Sequence, residues 1–372
     1  RVLFRSPHSA AVQGGAAKNR GAGGCVLHEV EGAFQIPGGG LGPLGVGLVD
    51  EKKVGGLQEA GLHCLNAVPA SRMKNHHHEV RLGSDIGFGL AHPDGFKKDL
   101  VKSEGGAKVG GGPHGLKPGQ WTDDTSMALC LATSLVEQEG FDANDQMDRY
   151  CQWRGEGYLS STGKCFDIGN TTSYALDYYQ ATSEAIAGPT EPDTAGNGSI
   201  MRLAPVPMFF YPEQASVERF SAESSRTTHG APLCVDACRL LGVMILRALS
   251  AVSKDKVLSA GTDLQFDTDE ISAIATGTYR SKGETDIRGS GYVVESLEAA
   301  LWCFTGTESF EAAVLKSENL GEDADTTAAI CGQVAGAYYG ESGIPQRWRE
   351  LVAMREDIRA LANRLHALHP RT

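Results

Sequence analysis

Apolar residues recur with helical spacing from about residue 119 to the end of the chain. In residues 126–138, Met127, Leu131 and Leu135 fall on one face of a helix. The alternation of apolar and polar residues that marks a half-buried strand is almost absent. The pattern therefore predicts an all-α body, with a polar interruption over 254–290 that holds two short helices. Further helical stretches are predicted over 232–249, 292–304, 326–339 and 347–368.

The first part of the chain has a different character. More than half of the 47 glycines fall within the first 120 residues, where neither helical nor strand periodicity is sustained. Glycine loses more backbone entropy on folding than any other residue, so such a stretch is a poor candidate for regular structure. Residues 1–85 are therefore predicted to be an irregular Gly-rich segment with no recognisable domain, and residues 86–370 to form the helical domain. The composition also suggests the hypothesis that residues 1–85 are translated from a wrong reading frame.

Composition and charge limit the kinds of function that the sequence predicts. The formal net charge of −12 argues against a nucleic-acid backbone as the main partner. No run of about 18 apolar residues is present that could span a membrane. The nine cysteines are odd in number and form no CxxC pair, which predicts reduced thiols in a cytoplasmic protein. A sustained heptad seam is also missing, which favours a monomer.

Two predicted helices begin with paired acidic residues. One start reads WTDDT, with Asp123 and Asp124, and the other reads GEDADTT, with Asp323 and Asp325. Capping of the helix N-terminus explains one acidic residue at each start, but it explains a pair less well. Four converging carboxylates repel one another unless cations neutralise them, and Mg²⁺ prefers oxygen ligands. Capping and a shared metal site both remain open at this point.

Three polar turns separate the helical stretches in the middle of the chain. The turn around Gly196, Asn197 and Gly198 is small enough for its backbone N–H groups to bind phosphate, although such a sequence is most often only a turn. A second cluster, SSRTTHG, contains His229, and a histidine there is more often a packed residue than a catalyst. The third turn, CFDIGNTT, contains Asp167, which is open to interpretation as a helix cap.

These motifs together resemble those of the bacterial ADP-ribosylglycohydrolases, of the type that reactivates dinitrogenase reductase. The resemblance covers about residues 110–370, and the motifs occur in the order and at the spacing of that family. A set of ordered motifs is far more specific than any one of them. The matching segments are GQWTDDTSMAL, STGKCFDIGNTT, AGNGSIMRLAPV, SSRTTHGAP, GSGYVVESLEAALW, NLGEDADTTAAICGQVAGAYYG and GIPQRW.

The resemblance implies a compact all-α domain of orthogonally packed helices with a dinuclear Mg²⁺ site, or a Mn²⁺ site, at helix N-termini. It implies metal ligands at both acidic helix starts, namely Thr122, Asp123, Asp124, Asp323, Asp325 and Thr326. It implies contacts to the diphosphate and ribose of ADP-ribose from Gly196, Asn197, Gly198, Ser199 and His229. Asp167 corresponds to an acid that lies close to the scissile ribose in some members, and is the candidate catalytic residue.

The resemblance weakens before residue 110. Family members begin with a helix that carries a GDALG-like motif and a following Glu-Phe, whose carboxylate is often assigned as the general acid or base. The expected region here is about residues 84–104, where the sequence reads GLAHPD and contains no Glu-Phe. Asp94 keeps the internal spacing of the motif, and Asp99 and Glu104 are the nearest further acids. The general acid or base is therefore not identified by the sequence.

The expected activity is hydrolysis of the glycosidic bond between ADP-ribose and a protein side chain, with arginine as the favoured linkage. The expected partner is thus an ADP-ribosylated protein or a small ADP-ribose conjugate. Two alternatives stay open. The chain is either a catalytically impaired relative that binds ADP-ribose and metal, or a hydrolase of a small ADP-ribose derivative.

Overall fold

The computed structural model describes residues 114–368, and within that range the regular elements are helices. The all-α class is therefore confirmed for this part of the chain. The predicted irregular segment 1–85 and the domain start at residue 86 lie outside the described residues. So do Asp94, Asp99 and Glu104. In chain order the helices are α1 (Asp123–Glu137), α2 (Ala143–Glu156), α3 (Asn170–Thr182), α4 (Pro205–Phe209), α5 (Gln214–Arg226), α6 (Pro232–Leu249), α7 (Lys254–Leu258), α8 (Asp269–Ala275), α9 (Val293–Thr305), α10 (Phe310–Glu318), α11 (Ala324–Gly343), α12 (Gln346–Leu351) and α13 (Arg355–Ala367).

The hydrophobic pattern located several helices closely. Helix α6 has the predicted bounds, and the polar interruption over 254–290 holds the two short helices α7 and α8 together with 3₁₀ turns. The single stretch predicted over 347–368 is wrong, because it forms two helices, α12 and α13. Met354, which separates them, has a φ of 50°. A non-glycine residue in the left-handed region breaks a helix, and the Arg/Glu periodicity on either side hides that break.

Helices α6 and α11 form the centre of the described domain. Most residues of both helices are buried, including the polar Gln333 of α11. A helix that is covered on all sides belongs to the interior, and α5 packs on α6 while α9 and α10 pack on α11. A side chain at Gly242 of α6 would begin 2.4 Å from Ser221 Oγ of α5, so glycine permits this close approach. The loops that precede α6 and α11 are thus attached to tightly packed helices.

The seven cysteines among residues 114–368 are all free thiols. Burial raises the pKa of several of them, including Cys303 to about 11. The prediction of reduced cysteines is thus confirmed for these seven, and Cys25 and Cys64 lie outside the described residues. Over the same range, no helix combines the length and the hydrophobicity that crossing a bilayer requires.

Three loops meet at the N-terminal ends of α1, α9 and α11. Gly196 pairs with Tyr292 in an isolated antiparallel bridge, and the Asn197 N–H donates to the Gly291 carbonyl at 3.1 Å. The Asp323 N–H in turn donates to the Gly289 carbonyl at 2.8 Å. These backbone hydrogen bonds hold residues from three distant parts of the sequence against one another.

Candidate active site

The start of α1 does not use its acidic cluster for capping. Thr122 is the N-cap residue, but its side chain makes no cap hydrogen bond, and its hydroxyl donates instead to Asp124 Oδ2 at 2.8 Å. The preceding Trp121 is fully buried, and its backbone N–H donates to Ser161 Oγ at 3.0 Å. The chain is thus anchored just before α1, and the side chains of Asp123 and Asp124 are directed elsewhere than at the helix end.

The start of α11 shows the same departure from capping. Asp323 is the N-cap residue and makes no side-chain cap hydrogen bond. Its Oδ2 accepts a hydrogen bond from Asn197 Nδ2 at 2.7 Å, and the same amide group donates to Ser296 Oγ at 2.8 Å. Capping was the alternative explanation for these acidic residues, and neither N-cap side chain makes the hydrogen bond that it requires, although Asp123, Asp124 and Asp325 lie in first turns where a negative charge is favourable. Asn197 instead links the small-residue turn to the second acidic start.

Both starts face one cavity of about 410 Å³. Nine of the sequence-predicted site residues line it, drawn from five separate segments of the chain. Three further polar residues of the α3 start, which the sequence did not single out individually, join them. The predicted residues in the lining are Asp123, Asp167, Gly196, Asn197, Gly198, His229, Asp323, Asp325 and Thr326, and the added ones are Asn170, Thr171 and Thr172.

Three predicted site residues lie behind this lining. Thr122, Asp124 and Ser199 are all buried. Ser199 faces the interior, because its Oγ forms hydrogen bonds with Ser225 Oγ at 3.0 Å and with Cys238 Sγ at 3.4 Å. Its side chain is thus occupied on the side away from the cavity, whereas the Thr122 hydroxyl donates to Asp124 Oδ2.

Burial and neighbouring carboxylates raise the pKa of two aspartates, Asp123 and Asp124. Burial raises the pKa of Asp123 well above its ordinary value, and the charges of Asp124, Asp167, Asp325 and Asp323 add to the effect. Burial likewise raises the pKa of Asp124 to about 7, although the Thr122 hydroxyl opposes this shift. Like charges held close together in a dry site cost free energy, and a bound cation would recover it.

The donor set suits Mg²⁺. Asp124 Oδ1 is buried and has no hydrogen-bond partner among the described residues, which leaves a carboxylate oxygen available to a ligand. Within residues 114–368 no three His, Cys, Asp or Glu side chains form a ready-made cage for one ion. Mg²⁺ does not require such a cage, because it keeps several waters and takes only one or two protein carboxylates. The carboxylates of the two acidic starts, each with a threonine hydroxyl, are the oxygen groups that could hold Mg²⁺.

The small-residue turn and His229 form another part of the lining of the cavity. A Cβ placed on Gly198 would lie 2.8 Å from His229 Cε1 and 3.0 Å from Nε2, so the imidazole packs flush against the bare backbone of the turn. Burial, together with the nearby charge of Arg202, lowers the pKa of His229 to about 3. The ring is therefore neutral near pH 7 and offers hydrogen bonding rather than charge.

Asp167 stands at the exposed edge of the cavity. Its φ is 59°, a backbone conformation that costs a non-glycine residue roughly 1–2 kcal/mol. Its Oδ2 lies 3.3 Å from His114 Nε2, and the His114 ring contacts Phe166 with a centroid separation of 5.1 Å. Strain of this kind is typical of positions at functional sites. It turns the carboxylate toward the same space as Asp123.

The chain is similar to several known proteins. A family model described as ADP-ribosylglycohydrolase matches residues 73–372. The ADP-ribosylarginine hydrolase Tri1 of Serratia proteamaculans (strain 568) is 42% identical over 265 residues, which cover 70% of this chain and 71% of the relative. The ADP-ribosyl-(dinitrogen reductase) glycohydrolase of Rhodospirillum rubrum is 31% identical over 269 residues, which cover 70% of this chain and 83% of the relative. A solved ADP-ribosylglycohydrolase-related protein complex superimposes with a TM-score of 0.68 at 36% identity, over 80% of this chain and 99% of the other.

Proposed function

Because the chain belongs to the ADP-ribosylglycohydrolase family, we propose that this glycosidic-bond hydrolase releases ADP-ribose from modified arginine side chains of proteins, with two Mg²⁺ ions bound. One observation carries the proposal. The carboxylates of two helix starts about 200 residues apart face one cavity together with the Gly196–Gly198 turn. The arginine linkage is suggested by the relatives, two of which are ADP-ribosylarginine hydrolases at 42% identity.

The residues that would hold the ions are those of the two acidic starts. Thr122, Asp123 and Asp124 would act from α1, and Asp323, Asp325 and Thr326 from α11. Bound there, Mg²⁺ would supply Lewis acidity toward the vicinal ribose hydroxyls and toward a water molecule. Mn²⁺ has the same preference for oxygen ligands and is the second candidate.

The protein's own groups would bind and orient the rest of the substrate. Backbone N–H groups of the small-residue turn suit the diphosphate, since the turn exposes main chain without side chains. Asn197 holds the carboxylate of Asp323 in a fixed orientation through its 2.7 Å hydrogen bond. Both contacts reduce the freedom of the bound sugar relative to the acidic groups, which is the main source of rate in a positioned site.

Asp167 is the candidate for stabilising the reacting centre. Glycosidic-bond cleavage passes through an oxocarbenium-like state that carries positive charge on the ribose. A carboxylate fixed at the cavity edge by a left-handed backbone would lie opposite that charge without reorganising during the reaction.

The linkage is tested with two substrates that carry ADP-ribose on the same protein scaffold, one at arginine and one at serine. We expect chromatography to show free ADP-ribose from the arginine-linked substrate and at least about tenfold slower release from the other. Release from the serine-linked substrate alone would overturn the proposed linkage. Binding of ADP-ribose without release from either would identify a binding-only protein, and cleavage of small conjugates alone would identify a hydrolase of ADP-ribose derivatives.

A further inference from the structure

A fully buried arginine lies directly behind the cavity. Arg202 has 0% exposure, and its guanidinium has no carboxylate partner among residues 114–368. It donates to the Gly198 carbonyl at 2.9 Å and to Thr228 Oγ1 at 2.7 Å, and it lies over the Tyr150 ring at 4.8 Å. A buried cation is costly unless its donors are satisfied. Arg202 therefore joins the small-residue turn and Thr228 into one hydrogen-bonded unit.

The Thr228 hydroxyl has its direction set by this arginine. A guanidinium can only donate, so Thr228 Oγ1 must accept from Arg202. Thr228 is fully buried, and its own hydroxyl proton needs an acceptor. The remaining partner of Oγ1 among the described residues is His229 Nδ1, at 2.8 Å. If Nδ1 carried a proton, two hydrogens would compete for this contact and the hydroxyl proton would be buried without a partner.

We infer that Arg202 and Thr228 hold His229 in the tautomer that is protonated on Nε2, so that Nε2 donates a hydrogen bond to an acceptor oxygen of the bound nucleotide. The ring is held from its backbone as well, since Ser225 Oγ donates to the His229 carbonyl at 2.9 Å. The Nε2 edge faces the Gly198 side of the cavity, where a ligand would lie. The low pKa of His229 agrees with a neutral ring. Arg202 and Thr228 are thus positioning residues, and His229 is the group that contacts the ligand.

The assigned tautomer follows from the protein alone, whereas the identity of the acceptor as a phosphate or ribose oxygen of ADP-ribose rests on the proposed function. Two measurements keep these parts separate. Proton–nitrogen correlation spectra of ¹⁵N-histidine-labelled protein report which ring nitrogen carries the proton, without any substrate. His229→Gln assigns the signal among the 11 histidines. Calorimetry with ADP-ribose then measures the contribution of that donor to binding.

The chain offers a matched set of variants that test the hydrogen bonds from Arg202 through Thr228 to His229. Thr228→Val keeps the shape of the side chain and removes the hydroxyl, and Thr228→Ser restores the hydroxyl. Thr227→Val is the control, because Thr227 is equally buried and its hydroxyl donates to the Ser224 carbonyl at 2.8 Å, away from His229. A loss caused only by removing a buried hydroxyl would appear in both valine variants.

We expect the parent spectrum to show the proton on Nε2, and Thr228→Val to show a mixture of tautomers. The Kd for ADP-ribose should rise roughly tenfold in Thr228→Val, the effect of one lost hydrogen bond, and stay near the parent value in Thr228→Ser and Thr227→Val. A proton on His229 Nδ1 in the parent would overturn the inference that Arg202 and Thr228 set the tautomer. An unchanged Kd in a folded Thr228→Val would overturn it as well. If the parent fails to bind ADP-ribose at all, the proposed function is contradicted, and the spectrum still decides the tautomer.

Discussion

Asp123→Asn is expected to melt at a higher temperature than the parent protein without divalent metal, and to hydrolyse its substrate at least about 10²-fold more slowly with Mg²⁺. Both effects have one cause. Asp123 is buried among carboxylates that raise its pKa, so its charge destabilises the metal-free protein. The amide has nearly the same shape and no charge. We expect a gain of about 3 °C, or roughly 1 kcal/mol.

The gain should depend on pH in a defined direction. The folded-state pKa values of Asp123 and Asp124 lie above the ordinary value, and that of Asp124 is about 7. Such groups contribute stability that is fully present below pH about 4 and is lost as pH rises through the folded-state pKa. The difference in Tm between Asp123→Asn and the parent should therefore widen as the pH rises above about 4.

Mg²⁺ provides the second half of this comparison. An ion present at about 100 times its Kd stabilises the folded state by about 2.7 kcal/mol, which raises the parent Tm by roughly 5 °C or more. Asp123→Asn should lose most of this rise. Asp177→Asn is the control, because Asp177 is a 71% exposed aspartate paired with Arg154 on the surface. An Asp123→Asn protein that keeps both its rate and its Mg²⁺-dependent Tm shift would contradict the metal assignment.

Asn197→Asp is expected to weaken ADP-ribose binding by about 10–100-fold and to lower stability by about 1–3 kcal/mol. The substitution replaces a donor by a second carboxylate at the 2.7 Å contact with Asp323, and Asn197 is only 8% exposed. The new charge also stands beside the turn that is proposed to hold the diphosphate. Calorimetry and thermal unfolding measure the two effects.

Asn170→Asp gives the same change of charge in the same cavity. Asn170 lines the rim, is exposed, and is the first residue of α3, where a negative charge is favourable. We expect its stability and affinity to stay close to those of the parent. Equal losses in both variants would mean that the cavity responds only to net charge, and that the Asn197–Asp323 hydrogen bond has no specific role.

Much of the fold could be predicted from the sequence because apolar spacing is a local property. Helix α6 has the predicted bounds, since most of its residues between Pro232 and Leu249 are apolar and buried. The break between α12 and α13 could not be predicted, because it depends on one backbone angle at Met354. Nothing in the side-chain pattern on either side of that residue signals the change.

The sequence indicated which residues lie around the cavity better than it indicated where their side chains point. The family resemblance placed Asp123, Asp323 and Asn197 in one site, and all three line the cavity. The sequence did not indicate that Ser199 turns inward to Ser225, because consecutive residues of a tight turn point to different sides. Nor did it give Arg202 a role, since an arginine in a sequence is ordinarily interpreted as a surface residue and its burial depends on distant helices.

The central claim is metal-assisted hydrolysis of ADP-ribosyl-arginine in this cavity. The most direct test is the release of free ADP-ribose from an arginine-modified protein, measured with Mg²⁺, after addition of EDTA, and again with Mg²⁺ in excess. We expect release with Mg²⁺, a fall of at least about 10²-fold with EDTA, and recovery when Mg²⁺ is restored. Release that continues at the same rate in EDTA would contradict the claim.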